Sequence, residues 1–176
     1  MIPMSSRSDV EHKARAPRSV RCFIVTISDT RTEATDTSGR AIAELLTAGG
    51  HLVAGRTIVK DDVELVRGTI ERQLASSDVD AIITTGGTGI SPRDSAYEAV
   101  NGMLQKRLDG FGELFRYLSF EQVGTSAMMS RAVAGVAFDR ILVSLPGSER
   151  AVRLAVERLL IPELGHMLQQ TTRRSA

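Results

Sequence analysis

The chain has 176 residues, of which 42% are hydrophobic and 24% charged, and its formal net charge is +1. That size supports one domain with a substantial core, and the balance of 22 Lys+Arg against 21 Asp+Glu argues against a nucleic-acid binder or a membrane anchor relying on a strong basic field. The lone Cys22 and the lack of tryptophan exclude an intrachain disulfide framework and a Cys-pair zinc site, and require a largely aliphatic core.

Residues 1–18 mix Ser, Pro, Arg and Lys without an apolar run long enough for a signal-peptide core, and read as a flexible N-terminal tail. No stretch approaches the roughly 20 apolar residues of a membrane span. A reduced, cytoplasmic protein is expected, with one domain over 19–170 and a short C-terminal tail over 171–176.

Val20 to Ile27 (VRCFIVTI) is a nearly continuous β-favouring run, as expected of a strand covered on both faces. Ser28-Asp29 ends it and a polar loop follows. Ser38 can cap a helix carrying Ile42, Leu45 and Leu46, which Gly49-Gly50 stops. Leu52 to Val59 reads as a second strand. Asp61 or Asp62 can cap the next helix, whose Val63, Val66, Ile70 and Leu74 share one face. Val79 to Thr85 is a third strand, ended by Gly86-Gly87-Thr88-Gly89. Ser95 and Glu98 have capping-box spacing before a further helix.

Phe111 to Ala134 reads as helix in two pieces, broken near Gly124. Arg140 to Leu145 is the next strand, and Pro146-Gly147-Ser148 opens a long final helix that Pro162 should kink or restart. Strands alternating with helices imply an α/β fold, a parallel sheet between helical layers. Ligands in such sheets bind outside the carboxyl ends of the strands. The loops at Ser28-Asp29, Gly86–Gly89 and Pro146–Ser148 should therefore meet along one rim.

TTGGTGISPRD, Thr84 to Asp94, is the most informative segment. Its glycines let backbone amides approach an anion closely, and the helix beyond adds its positive end. The plainer alternative is a tight strand-to-helix turn that needs glycine for geometry alone. The segment is neither a P-loop nor a dinucleotide fingerprint, since no Gly-Lys-Ser/Thr follows and Pro92 stands where a third glycine should. If the loops converge, Asp61 and Asp94 can share a divalent cation, Mg²⁺ delivered with nucleotide phosphates. Their alternatives are helix capping and a surface pair with Arg93. Arg131 is a candidate phosphate ligand, or else part of a surface ion pair. His12, His51 and His166 show no metal-ligand spacing and suggest no catalytic triad. Phe111, Phe115, Tyr117 and Phe120, with Phe138 nearby, suggest an interface or a packed cap.

Together Ser28-Asp29, Asp36-x-Ser38-Gly39, TTGGTGISPRD, GFGELFR, SRAVAG and LPGS resemble the MoaB/Mog family of molybdenum-cofactor biosynthesis proteins, and the G domain of gephyrin. The likeness runs in order from Val20 to the C-terminal helix and is nearer the MoaB branch through FGELFRYLSF and GTSAMMSRAVAG. It implies a three-layer αβα molybdopterin-binding fold with a mostly parallel sheet, assembling as trimers or as hexamers of trimers. It also implies adenylylation of molybdopterin with Mg-ATP, releasing pyrophosphate and serving a downstream molybdenum insertase. A non-catalytic pterin-binding or scaffold role is the alternative. By motif, Asp61 and Asp94 would be catalytic and hold Mg²⁺, while Ser28, Asp29, Gly86, Gly87, Thr88, Gly89, Pro146, Gly147 and Ser148 would face the ligand, with Arg131 on phosphate oxygens. The family's Thr-Pro-Glu-Ala helix start is replaced by Ala96-Tyr97-Glu98-Ala99.

Overall fold

The computed structural model describes residues 16–172. In chain order the elements are β1 (Arg21–Ile27), α1 (Thr37–Ala48), β2 (Leu52–Val59), α2 (Val63–Leu74), β3 (Ala81–Thr85), α3 (Ala96–Met103), β4 (Lys106–Arg107), α4 (Asp109–Val123), a 3₁₀ segment (Gly124–Met129), β5 (Val133–Ala137), β6 (Arg140–Leu145), α5 (Glu149–Ala155), a π-helical turn (Val156–Leu160) and α6 (Ile161–Thr172). The six strands form one sheet in the order β2-β1-β3-β6-β5-β4. Pairing is parallel from β2 through β6, and antiparallel between β6 and β5 and between β5 and β4.

Every residue of β3 (AIITT) is buried, the two threonines included, as befits a central strand with helices on both faces. The period of two divides the side chains between two cores. Ile24, Ile83, Ile141, Val143 and Leu145 pack on one face with α1, α4, α5 and α6. Val25, Ile27, Ile82 and Leu142 pack on the other with α2 and α3. The three-layer α/β architecture is the expected one.

Local departures have local causes. The cap of α1 is Asp36 rather than Ser38: Asp36 Oδ1 accepts from Gly39 N at 2.8 Å and its Oδ2 accepts from Thr26 Oγ1 at 2.9 Å. A Cβ on Gly39 would lie 2.2 Å from Asp36 Oδ2, so glycine admits the carboxylate. Of the two candidates before α2, Asp62 is the cap, accepting from Leu65 N at 3.0 Å. The Ser95–Glu98 capping box does not form; neither side chain closes it, and both have other partners, described below. The helix expected up to Ala134 instead gives way after Met129, and Val133–Ala137 pairs with β6 as a hairpin. Its turn, Phe138-Asp139, has φ of 47° and 59°, which concealed the hairpin because such turns ordinarily carry glycine or asparagine.

Pro162 stands second in α6, directly after the π-helical turn, in which Ile161 N donates to Val156 O. The widened turn accommodates a ring that would otherwise crowd the carbonyl one turn back. Of the proposed N-terminal tail, residues 1–15, including His12, lie outside the described residues, whereas Pro17 O packs against Gly165 in α6. Residues 173–176 of the C-terminal tail also lie outside them, and α6 runs to Thr172.

Candidate functional site

The loops leaving β1, β3 and β6 meet at the carboxyl edge of the parallel strands. Gly86 N donates to Leu145 O at 3.0 Å, and Thr85 Oγ1 donates to Pro146 O at 2.9 Å. Ser38 Oγ donates to Gly147 O at 2.8 Å, so the residue expected to cap α1 instead holds the Pro146–Ser148 turn. A Cβ on Gly147 would lie 3.2 Å from the Cα of Gly86, which records how closely the two turns touch. Ser148 caps α5, accepting from Ala151 N at 3.3 Å.

The glycine loop is shaped by what surrounds it. Gly86 has φ +100° and a Cβ there would fall 2.2 Å from Ile27 O; Gly87 has φ +63° and a Cβ there would meet Ala96 and Asp61. Geometry therefore demands glycine at both positions. Thr88 is buried beneath the loop. No described residue supplies an acceptor for the N–H groups of Gly87, Thr88, Gly89 or Ile90.

Both singled-out carboxylates lie against this loop. A Cβ on Gly87 would be 2.6 Å from Asp61 Oδ2, and one on Gly89 would be 2.6 Å from Asp94 Oδ2. Asp61 is not a cap: its Oδ1 accepts from Ser95 N at 3.2 Å and Ser95 Oγ at 2.9 Å, tying the end of β2 to the start of α3. Asp94 Oδ2 accepts from Ser91 N at 3.0 Å. Arg93 pairs with Asp29 at 3.2 Å rather than with Asp94. Asp29 Oδ1 also accepts from Asp61 N at 3.3 Å, so this residue links the β1, β2 and glycine loops. Ser28 Oγ accepts from the N–H groups of Thr30 and Arg31, both at 3.2 Å.

Arg131 reaches the same loop from its far side. It donates to Thr88 O at 2.9 Å, to Gly89 O and to the Glu98 carboxylate, and its guanidinium lies 4.7 Å from the centre of the Tyr97 ring. Burial pushes the Glu98 carboxyl upward, but the bonds from Arg131 hold it below the ordinary glutamate value.

Beside Pro146 and Ser148 opens a cleft of about 130 Å³, lined in part by Ser119, Gln122, Ser126, Ser130 and Arg150. Ser130 Oγ is buried there without a hydrogen-bond partner. Sequence reasoning passed over this group. The available signal was the placement of Ser119, Gln122 and Ser126 at helical spacing beside SRAVAG. Cys22 and His51 lie in or against the interior away from the rim. Burial pushes the Cys22 thiol up to about 12, as suits an inert core residue.

Among the described residues no group of three or more His, Cys, Asp or Glu side chains could hold a metal ion. The donor chemistry still fits Mg²⁺, which characteristically takes one or two carboxylates and completes its shell with phosphate oxygens and water. Asp61 and Asp94 are hard oxygen donors beside the Gly87 and Gly89 positions of the loop. No described helix is long and apolar enough to cross a membrane.

The fold and this rim define an αβα protein whose strand-to-helix loops gather at the carboxyl ends of a parallel sheet. Residues 23–166 match the family model described as "Probable molybdopterin binding domain". Molybdenum cofactor biosynthesis protein B of Bacillus cereus is 52% identical over 161 residues, covering 91% of this chain and 95% of the relative. A crystal structure of a Molybdenum cofactor biosynthesis protein B superposes with TM-score 0.87 at 50% identity, covering 91% of this chain and all of that one. The tungsten cofactor synthesizing protein MoaB from Pyrococcus furiosus superposes with TM-score 0.79 at 34% identity, covering 90% and 100%. The chain belongs to the MoaB/Mog family of molybdopterin-binding proteins, and its similarity to MoaB proteins extends over nearly its whole length.

Proposed function

We propose that the protein acts in molybdenum-cofactor biosynthesis as a molybdopterin adenylyltransferase, using Mg-ATP and releasing pyrophosphate. The single observation that carries this reading is the placement of Asp61 and Asp94 against the Gly87 and Gly89 positions of an amide-rich loop. In the reaction, an oxygen of molybdopterin's terminal phosphate attacks the α-phosphorus of ATP. The bond from that phosphorus to the bridging oxygen of the β-phosphate breaks, and pyrophosphate leaves. A phosphate nucleophile needs no Ser, Cys or His to activate it, so the task is alignment and charge neutralisation. Bound Mg²⁺ would supply part of that neutralisation, held by Asp61 and Asp94.

The remaining roles follow from position on the rim. The amides of Gly87, Thr88 and Gly89 face phosphate oxygens, while Gly86, its own N–H bonded to Leu145 O, shapes the loop that presents them; Ser28 and Asp29 stand at one end of the rim and Pro146, Gly147 and Ser148 at the other. The cleft containing the unpartnered Ser130 Oγ suits a ligand rich in donors and acceptors, and we assign it to the pterin end. Arg131 is assigned to the same phosphate site. The expected location is the cytoplasm, and the adenylylated pterin would pass to a molybdenum insertase. The exposed Leu114, Tyr117 and Phe120 on α4, with Met128 and Met129 beyond it, support assembly into a trimer or hexamer.

Purified protein supplied with molybdopterin, ATP and Mg²⁺ is expected to form adenylylated pterin, and Asp94→Asn to suppress it. Pterin binding without any Mg-dependent affinity for ATP would instead establish a non-catalytic carrier.

A further inference from the structure

Arg131 has a guanidinium fork, and a fork beside a phosphate loop invites the reading that it grips phosphate directly. Its contacts suggest a different use. Nε donates to Thr88 O, Nη2 donates to Gly89 O, and both terminal nitrogens reach the Glu98 carboxylate, with Nη2 3.4 Å from Glu98 Oε2. Most of the five donors of the fork are therefore directed to the loop's own carbonyls and to Glu98. The Tyr97 ring, one residue before Glu98 in α3, lies against the guanidinium at 4.7 Å and limits its swing.

The two carbonyls matter because of what lies across each peptide. In a trans peptide the N–H points opposite to the C=O, and no cis peptide occurs among the described residues. Drawing Thr88 O and Gly89 O toward Arg131 turns the N–H groups of Gly89 and Ile90 the other way. These are two of the loop amides that have no acceptor among the described residues. A cation on the carbonyl side also polarises both peptides, increasing the partial positive charge that an anion meets on the amide side.

We propose that Glu98 and Arg131 form a brace, with Glu98 aiming the guanidinium at the Thr88 and Gly89 carbonyls so that the Gly89 and Ile90 amides are presented to the phosphate. Both are positioning residues for the anion site. The proposal deepens the adenylyltransferase reading and rests on it for the identity of the anion. It also accounts for the unmade Ser95–Glu98 capping box. Glu98 is freed from capping α3 and is used on Arg131, while Ser95 is used on Asp61.

The sign of one substitution separates the brace from a direct phosphate grip. If Arg131 held phosphate itself, Glu98 would compete for the fork, and Glu98→Ala would tighten anion binding. Removing a negative charge near an anion site favours tightening as well. The brace requires the opposite.

The test measures binding of inorganic pyrophosphate by calorimetry at fixed Mg²⁺, and backbone amide order parameters of residues 87–90 by NMR in the ligand-free chain. Glu98→Ala and Arg131→Lys should each weaken pyrophosphate binding about tenfold, the loss of a charge-assisted bond network. Each should also lower the order parameters toward the roughly 0.6 that marks a flexible backbone. Glu98→Gln keeps an acceptor for the fork and should recover most of both losses. Tighter or unchanged binding in Glu98→Ala would overturn the brace, as would unchanged order parameters in both variants. Should the wild type bind no pyrophosphate, the adenylyltransferase reading fails at that point. The order parameters then decide the brace alone: a drop upholds it, and no drop overturns it.

Discussion

Gly86→Ala is expected to be the most costly small substitution at the rim, and a second glycine provides its control. Gly86 has φ +100° and Gly50, after α1, has φ +85°; a Cβ at Gly50 would meet nothing within 4 Å, whereas one at Gly86 would fall 2.2 Å from Ile27 O. Both substitutions force an L side chain into a left-handed backbone, costing about 1–2 kcal/mol. Only Gly86→Ala adds a collision. Relief requires the loop and the end of β1 to separate by at least about 0.8 Å to reach even a 3.0 Å approach. The obstructing atom is backbone and cannot rotate away, so a further cost of about 1–3 kcal/mol is expected. At roughly 2–4 °C per kcal/mol for a chain of this length, Tm should fall by about 2–8 °C for Gly50→Ala and about 4–20 °C for Gly86→Ala. Thermal unfolding followed by circular dichroism, at one pH and one protein concentration, measures both. Equal Tm losses in the two variants would refute the claim that the loop is packed directly on the Ile27 carbonyl.

Other consequences concern regions away from the loop. Arg21 clamps Asp80 through its guanidinium and its own N–H; burial pushes the Asp80 carboxyl up, but these bonds bring it below the ordinary value. A depressed carboxyl stabilises the fold above its unfolded pKa of about 3.9 and loses that effect as pH falls through the folded value. Asp80→Asn should therefore lower Tm at pH 7 by a margin that shrinks below about pH 4; a margin independent of pH would contradict the ion-pair account. Phe138 is exposed at φ 47° in the β5–β6 turn. Phe138→Asn should relieve about 1 kcal/mol of strain and raise Tm by roughly 2–4 °C, and a lower Tm would show that the ring contributes packing. The exposed Tyr117 and Phe120 are expected to lie at a subunit contact, so Tyr117→Glu with Phe120→Glu should reduce the mass measured by light scattering. A wild type already monomeric at micromolar concentration would refute the contact.

The parallel part of the sheet was legible because each strand from β1 to β3, and β6, is a short β-favouring segment closed by a turn signal. Their alternation with helices also placed the rim correctly, since in a parallel sheet the loops after the strands share one edge. The antiparallel end was hidden. β4 has only Lys106-Arg107, too short for any periodicity, and β5 is a small-residue run (VAGVA) that continues an apparently helical segment. Asp36, Asp62 and Ser38 show why local caps were only partly readable. Several hydroxyl and carboxylate residues stand near each helix start, and tertiary partners decide among them: Thr26 draws Asp36, while Gly147 O takes the Ser38 hydroxyl. Asp61 and Asp94 were visible from their places after a strand and within a glycine loop. The hold of Ser95 on Asp61 and of Glu98 on Arg131 was not, because capping-box spacing favours a local use for both residues.

Adenylyl transfer itself is the most direct measure of the proposed function. Wild-type protein, Asp61→Asn and Asp94→Asn should be incubated with molybdopterin, ATP and Mg²⁺, and adenylylated pterin and pyrophosphate quantified together. The wild type should form the two products in equal amounts. Each variant should lose at least about tenfold in rate, the loss of roughly 1.4 kcal/mol of transition-state stabilisation, while remaining folded by circular dichroism. Wild-type protein that binds molybdopterin yet forms neither product would contradict the account.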